Sequence, residues 1–295
     1  MLLTMGLFVS MDTVVKYLVQ DFSPFQIVWA RFFFHMLWLG AFLRERFVAS
    51  FKTTSPKMQL LRSSLLVMTT SLFFTGLQST ALSTATAIMF LSPIFVTVLA
   101  IPLLGEHVGI RRITGVLIGF AGALVIVLPD SGASVESSTT DGLITWPGLP
   151  ETGSLLVICA AMSNALYQIM TRQLRAADDP VTSLLYSGLV GAIVMSAYAP
   201  SVWVIPETTQ WGLMVLVGFL GCFSHFCLIR AFRAAPASLV VPFSYTSLIW
   251  AILLGFVFFN DLPTLTTLAG AALIISSGLY IFYREAQINK RSVTA

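Results

Sequence analysis

Apolar residues in this chain neither alternate nor form narrow stripes. They run in long blocks separated by short polar links. Ten blocks stand out: Leu2–Val19, Pro24–Leu43, Ser63–Leu82, Thr84–Leu104, Ile113–Leu128, Thr152–Thr171, Pro180–Ala199, Trp211–Ile229, Ser238–Phe259 and Leu265–Tyr283. A helix needs about 20 mostly apolar residues to cross the ~30 Å hydrocarbon core. In lipid a lone segment satisfies its own backbone only as a helix. The pattern therefore predicts an all-α integral membrane protein with ten transmembrane helices. Short links make successive helices antiparallel. The longest link, 129–151, is rich in Ser, Thr, Gly and Pro and reads as an external linker. The expected organisation is a five-helix unit over 1–128, the linker 129–151, a second five-helix unit over 152–284, and a cytoplasmic tail over 285–295.

Composition removes the alternatives. Of 295 residues 57% are apolar and 10% charged, whereas a soluble chain carries about 25% charged residues. The polar composition of a disordered chain is also absent. Charge placement then sets orientation. With the N-terminus in the cytoplasm, the inner links hold Arg44, Arg46, Lys52, Lys57, Arg62, Arg111, Arg112, Arg172, Arg175, Arg230, Arg233, Arg284, Lys290 and Arg291. The outer links hold Asp21, Asp130, Glu136, Asp141, Glu151, Glu207 and Asp261, with no Lys or Arg. This partition is the positive-inside pattern and predicts a multi-pass protein of the cytoplasmic (inner) membrane with both termini cytoplasmic. Met1–Val19 lacks a charged leading region and a small-residue cleavage site, so it reads as a retained first span. No basic cluster with interleaved aromatics points to nucleic acid. Cys159, Cys222 and Cys227 lie in apolar blocks without metal-type spacing and read as small hydrophobes.

The two halves echo each other. Lys16-x7-Pro24 matches Arg172-x7-Pro180 at an offset of 156. Ser83, Ser92, Leu99, Gly115 and Ile126 match Ser238, Ser247, Leu254, Gly270 and Ile281 at an offset of 155, and Glu106 falls on Asp261 in that register. Five is an odd number of spans, so the second copy enters the membrane in the opposite sense. Such inverted repeats place a substrate site near the midplane, between the halves.

Three segments carry a family resemblance: "SMDTVVKYLVQDFSPFQIVWARF", "STATAIMFLSPIFVTVLAIPLLGEHVGIRRITGVLIGFAGALVIV" and its echo "ASLVVPFSYTSLIWAILLGFVFFNDLPTLTTLAGAALIISSGLYI". The chain resembles the EamA-type members of the drug/metabolite transporter superfamily over nearly its whole length. The resemblance implies a ten-helix inverted-repeat fold carrying small organic solutes. It implies a central cavity walled by helices 1–4 and 6–9, with helices 5 and 10 peripheral. Glu106 matches a family acidic position. Asn260-Asp261 stands where the family usually has Gly-Glu.

Charges inside the apolar blocks are few: Asp12, Lys16 and Arg31. Each costs about 2.5–3.5 kcal/mol on insertion scales and marks a functional candidate. Asp12 and Lys16 share a face of helix 1, and Arg31 sits at matching depth on helix 2. Two readings stand. In one, Asp12 and Arg31 form a structural ion pair while Lys16 snorkels outward. In the other the cluster lines the cavity, its spare positive charge meeting a substrate carboxylate, with Asp12 also a candidate for ion coupling. His35 follows Arg31 by one turn. Asn164, Tyr167, Tyr186 and Tyr245 supply hydrogen-bonding groups from the second half. Pro93 and Pro242 interrupt helices 4 and 9 as candidate hinges. Gly115, Gly119, Gly122, Gly270, Ser277 and Gly278 make small-residue packing faces on helices 5 and 10. No catalytic motif, metal cluster or cofactor loop is present. The expected function is secondary transport, by alternating access, of amino-acid-like or other zwitterionic or anionic metabolites. Nucleoside-like or flavin-like cargo is the alternative, and a channel or intramembrane enzyme the remoter one. The expected partners are the substrate, lipid and coupling protons, with the chain a monomer or homodimer.

Overall fold

The structure, a computed structural model, describes residues 1–104, 110–127, 152–174, 178–234 and 241–293. Among these residues there are eleven α-helices and no strand. They are α1 (Leu2–Leu18), α2 (Pro24–Leu43), α3 (Pro56–Gly76), α4 (Leu82–Met89), α5 (Ser92–Leu104), α6 (Ile110–Val127), α7 (Thr152–Leu174), α8 (Pro180–Tyr198), α9 (Thr208–Ala234), α10 (Thr246–Phe259) and α11 (Leu265–Val293). Pro24, Pro56 and Pro180 each stand in a first turn, where the missing N–H has no helical partner to lose. Among the described residues five helical stretches are long and apolar enough to cross a membrane: 24–46, 82–99, 152–174, 180–202 and 208–228. Shorter apolar helices occupy 114–126, 243–259 and 265–280. Large side chains such as Leu37, Phe42, Leu117, Ile249, Val257 and Phe258 are exposed. An apolar surface of that extent suits lipid and not water.

Several boundaries move. α3 begins seven residues before the expected Ser63 and ends at Gly76, so Lys57, Gln59 and Arg62 lie within a helix rather than a loop. The fourth apolar block is broken at Phe90 and Leu91, between α4 and α5. Pro93 therefore opens a helix instead of kinking one, and its carbonyl accepts a bond from the Thr97 hydroxyl at 3.1 Å. In the ninth block the described residues open with a 3-10 turn, Val241–Tyr245, which contains Pro242 and leads into α10; Ser238 lies outside the described residues. Phe90 and Tyr245 meet across the two interruptions with ring centroids 5.0 Å apart. α11 continues as helix to Val293, through most of the expected tail. The linker 129–151, Glu106 and His107 lie outside the described residues.

The main apolar core draws on all eleven helices, and a smaller cluster of Leu39, Leu184, Leu185 and Cys222 lies apart from it. α6 packs against α11. Their backbones nearly touch: a Cβ on Gly122 would stand 2.7 Å from the Gly270 carbonyl, and the Ser277 hydroxyl donates to the Gly115 carbonyl. The small-residue stripes thus serve a contact within the chain.

The end of the bundle at which α1 begins is called the near end, the opposite one the far end. At the far end Lys16 Nζ lies 2.9 Å from Asp261 Oδ2 and donates to the Thr80 carbonyl at 3.1 Å. Asn260, at φ +55°, closes α10 in the left-handed region, and the Asp261 N–H returns to the Gly255 carbonyl at 3.1 Å. That capping turn aims Asp261 at Lys16. At the near end Asp178 accepts bonds from the Thr53 hydroxyl at 2.5 Å, from Gln59 Nε2 at 2.7 Å and from the Thr54 N–H at 3.3 Å. Partial burial pushes its carboxyl up, but these bonds outweigh burial and hold it below the usual carboxylate range.

Candidate functional site

The polar centre is built from α1, α2, α3, α7 and α9. Asp12 projects from α1 and is half-buried. Among the described residues its carboxylate makes no hydrogen bond and no ion pair within 4.0 Å. Arg31, on α2, is within electrostatic reach of it but 8% exposed and bonded to Thr70 Oγ1 on α3 at 2.8 Å. The direct Asp12–Arg31 pair expected on one reading is therefore not formed. The guanidinium packs over the Phe32 and Phe74 rings and leaves most of its five N–H donors unused. Gly221 on α9 passes beside it; a Cβ there would stand 3.6 Å from Arg31 Nε.

One turn nearer the near end lies a second layer. His35 is 5% exposed, and its Nε2 has no hydrogen-bond partner. Its ring centroid is 6.3 Å from that of His225 on α9. His225 Nδ1 is 2.9 Å from the Gly221 carbonyl, and Phe8 meets the His225 ring edge-on at 4.9 Å.

Arg62 closes this region toward the near end. The charge pattern assigns it to a loop, but it is inside α3 and 3% exposed. It donates to Thr171 Oγ1 at 2.7 Å, the Ser183 carbonyl at 3.0 Å, Ser187 Oγ at 3.1 Å and the Tyr167 hydroxyl at 2.7 Å. It also lies 4.6 Å from the Tyr167 ring centroid. Hydropathy hides it because the first turns of α3 are polar. Pro56 as a helix-opening residue is the signal that places it six residues inside a helix.

The structure thus groups Asp12, Arg31, His35 and Tyr167 and adds Thr70, His225 and Arg62. It places the other expected site residues elsewhere. Lys16 is taken up by Asp261 and Thr80 at the far end. Tyr186 points its hydroxyl to the Phe51 carbonyl at 3.4 Å, at the near end. Asn164 donates to Ser92 Oγ at 3.1 Å, and Gln168 to the same atom at 3.0 Å, pinning the start of α5. Tyr245 packs on Phe90 and against Gly278. Clefts open at both ends of the bundle among the described residues. One of about 610 Å³ at the near end is lined by Arg46, Lys52, Thr53 and Asp178. The other, of about 510 Å³, is at the far end beside Trp29, Ser196 and Trp203. Neither is lined by Asp12 or Arg31.

Comparison with known proteins agrees with a carrier. Residues 1–128 and 151–283 match the EamA-like transporter family. The chain is 29% identical over 274 residues to the S-adenosylmethionine uptake transporter of Rickettsia prowazekii (strain Madrid E), covering 93% of this chain and 88% of that one. It is 28% identical over 263 residues to the riboflavin transporter of Rhizobium johnstonii, covering 88% and 80%. A protein crystal structure shares the fold with a TM-score of 0.59 over 99% of this chain and 98% of that one, at 18% identity. The chain is a multi-pass membrane transporter of small metabolites and not an enzyme: it belongs to the EamA-like transporter family.

Proposed function

We propose that this protein carries a small zwitterionic metabolite of the S-adenosylmethionine type across the cytoplasmic membrane by alternating access. Its ten spans form two inverted five-helix repeats, 1–128 and 152–284, with both termini cytoplasmic. Support for the repeat comes from the way the helices pair. α3 packs on α7 as α1 packs on α9. α2 packs on α9 as α3 packs on α8, and α1 packs on α10 as α4 and α5 pack on α7. The pairs α2 with α8, α4 with α10, and α6 with α11 map onto themselves. Exchanging the halves therefore returns these principal pairs, although α2 on α3 and α4 on α11 have no comparable counterpart among the described residues, and this pairing supports a two-fold relation between the halves.

The cargo reading is carried by Asp12 and Arg31, opposite charges on successive helices that feel each other without pairing. A zwitterion completes both: its carboxylate meets the spare guanidinium donors and its cationic groups meet Asp12. Relatives named for S-adenosylmethionine uptake support the same class. Asp12, the one carboxylate in this cluster, also serves as the coupling group, and Asp12→Asn then separates uptake from an imposed pH gradient. A flavin-like cargo is the second reading, favoured by the riboflavin relative. Such a neutral solute would leave Asp12 and Arg31 unused.

Uptake of labelled S-adenosylmethionine and riboflavin into proteoliposomes separates the two. We expect S-adenosylmethionine to be carried, and Arg31→Ala to weaken its apparent affinity about 100-fold, the usual scale for truncating one side of a buried charged contact. Riboflavin uptake indifferent to Arg31→Ala, with no S-adenosylmethionine uptake, would replace the first reading by the second.

A further inference from the structure

We infer that His35 and His225, with Phe8, form a second subsite that holds a nitrogen heterocycle of the cargo through its N–H donors. The inference rests on the cargo reading above and deepens it.

Three helices repeat one stagger. On α1 Phe8 precedes Asp12 by four residues, on α2 His35 follows Arg31 by four, and on α9 His225 follows Gly221 by four. Gly221 lies beside Arg31, and Phe8, His35 and His225 are in mutual ring contact through His225. Four residues are one helical turn, about 6 Å. The site therefore has an ionic layer of Asp12 and Arg31 and, one turn toward the near end, a layer of rings.

The ring layer has unfilled hydrogen-bonding capacity. A carbonyl oxygen only accepts, so the contact between His225 Nδ1 and Gly221 O places a proton on Nδ1. In the neutral ring His225 Nε2 is then an acceptor. His35 Nε2 is buried with no partner. A buried polar atom left unpaired is a standing cost, and each such atom in a folded protein calls for a reason. A planar heterocycle with an amino or ring N–H supplies what is missing: donors for the imidazoles and flat faces for the ring edges of Phe8 and His225. α8 packs behind His35, where Gly188 leaves no room for a side chain against Met36 and the imidazole. That side of His35 is therefore closed to a ligand.

The test separates the two ends of the cargo. Adenosine carries the heterocycle without the zwitterion, and methionine carries the zwitterion without the heterocycle. Calorimetric binding of each to the purified full-length protein is measured for wild type, His225→Phe, His35→Leu and Asp12→Asn. His225→Phe keeps the ring packing against Phe8 and removes the acceptor; His225→Leu, which also lacks an acceptor, replaces it if that protein fails to fold. We expect the histidine variants to weaken adenosine at least ~10-fold and to leave methionine within about twofold, with Asp12→Asn doing the reverse. A wild type that binds no adenosine, or histidine variants that affect both fragments equally or neither, overturns the subsite. Uptake assays keep the two proposals apart. His225-dependent adenosine binding without S-adenosylmethionine uptake removes the cargo reading and keeps the subsite. S-adenosylmethionine uptake with adenosine binding indifferent to both histidines removes the subsite and keeps the cargo.

Discussion

Two buried arginines share a depth of burial and little else. Arg62 on α3 is 3% exposed, and Arg31 on α2 is 8% exposed. Arg62 donates to four groups on α7 and α8 and stacks on Tyr167. Arg31 donates to one hydroxyl, and its opposite charge stands off at more than ion-pair distance. Burial of a charge therefore does not by itself mark a ligand site. What separates the two is the hydrogen-bond account. A guanidinium whose donors are used binds helices together, while one whose donors are spare is ready for an anion.

Substitution at the two positions puts that contrast at risk. Arg62→Met removes charge-assisted bonds from α3 to both α7 and α8. It is expected to cost about 3 kcal/mol of stability, seen as a large fall in the thermal midpoint of the purified protein. Arg31→Met, combined with Asp12→Asn so that no charge is left uncompensated, is expected to shift stability by less than about 1 kcal/mol. Equal destabilisation at the two sites would make Arg31 a structural residue and end its separation from Arg62.

α1 holds a second, smaller version of the same contrast. Lys16, one turn from Asp12, is paired with Asp261 across the halves. Lys16 is 13% exposed and Asp261 36% exposed at the side chain, so water screens the pair and its coupling is expected near 1 kcal/mol. A double-mutant cycle with Lys16→Met and Asp261→Asn, read from thermal melting, measures it. The charge-swapped double variant should recover most of the loss. A coupling indistinguishable from zero would leave the far-end seam to apolar packing alone.

The sequence and the structure part company where hydropathy is uninformative. Asp12, Arg31 and His35 stand out on a page because they interrupt apolar runs, and the structure groups them. The blocks at Pro24 and Pro180 begin where expected because a proline announces each helix start. Arg62 is invisible to the same test. It sits among Lys57, Gln59, Ser63 and Ser64, a stretch polar enough to read as a loop, and only its partners on other helices show that it is buried. Lys16 fails in the opposite way. Its spacing from Asp12 puts both on one face, but a four-carbon stem lets its ammonium reach Asp261 and Thr80 instead of the site. Asn164 and Tyr245 read as cavity groups, yet they pack at the two helix interruptions, and no local pattern reports a contact between residues so far apart in sequence.

The smallest expected effect belongs to the near end, where Asp178 ties the loop before α3 to the start of α8 as Lys16 ties the far end, but by hydrogen bonds to a carboxylate rather than an ion pair. Its folded-state pKa is lowered. A lowered carboxylate pKa means the unfolded chain binds the proton more readily than the folded one. The stabilisation is therefore complete above the unfolded value of about 3.9 and disappears as pH falls through the folded value below it. Between pH 5 and 8 the seam should not respond to pH. Asp178→Asn keeps the shape and removes the charge, so it should lower stability at neutral pH by about 1 kcal/mol or less, since the group is partly solvated. It should also flatten the acid limb of the stability curve. Hydrogen exchange at Thr54 reports the seam directly, because that amide is one of the three donors. Lower protection of that amide, relative to an unstructured amide at the same pH, in Asp178→Asn at pH 7, matched by wild type only below the unfolded carboxylate range, is the expected result. A wild-type seam that loosens near pH 6 would assign the hold to some other group.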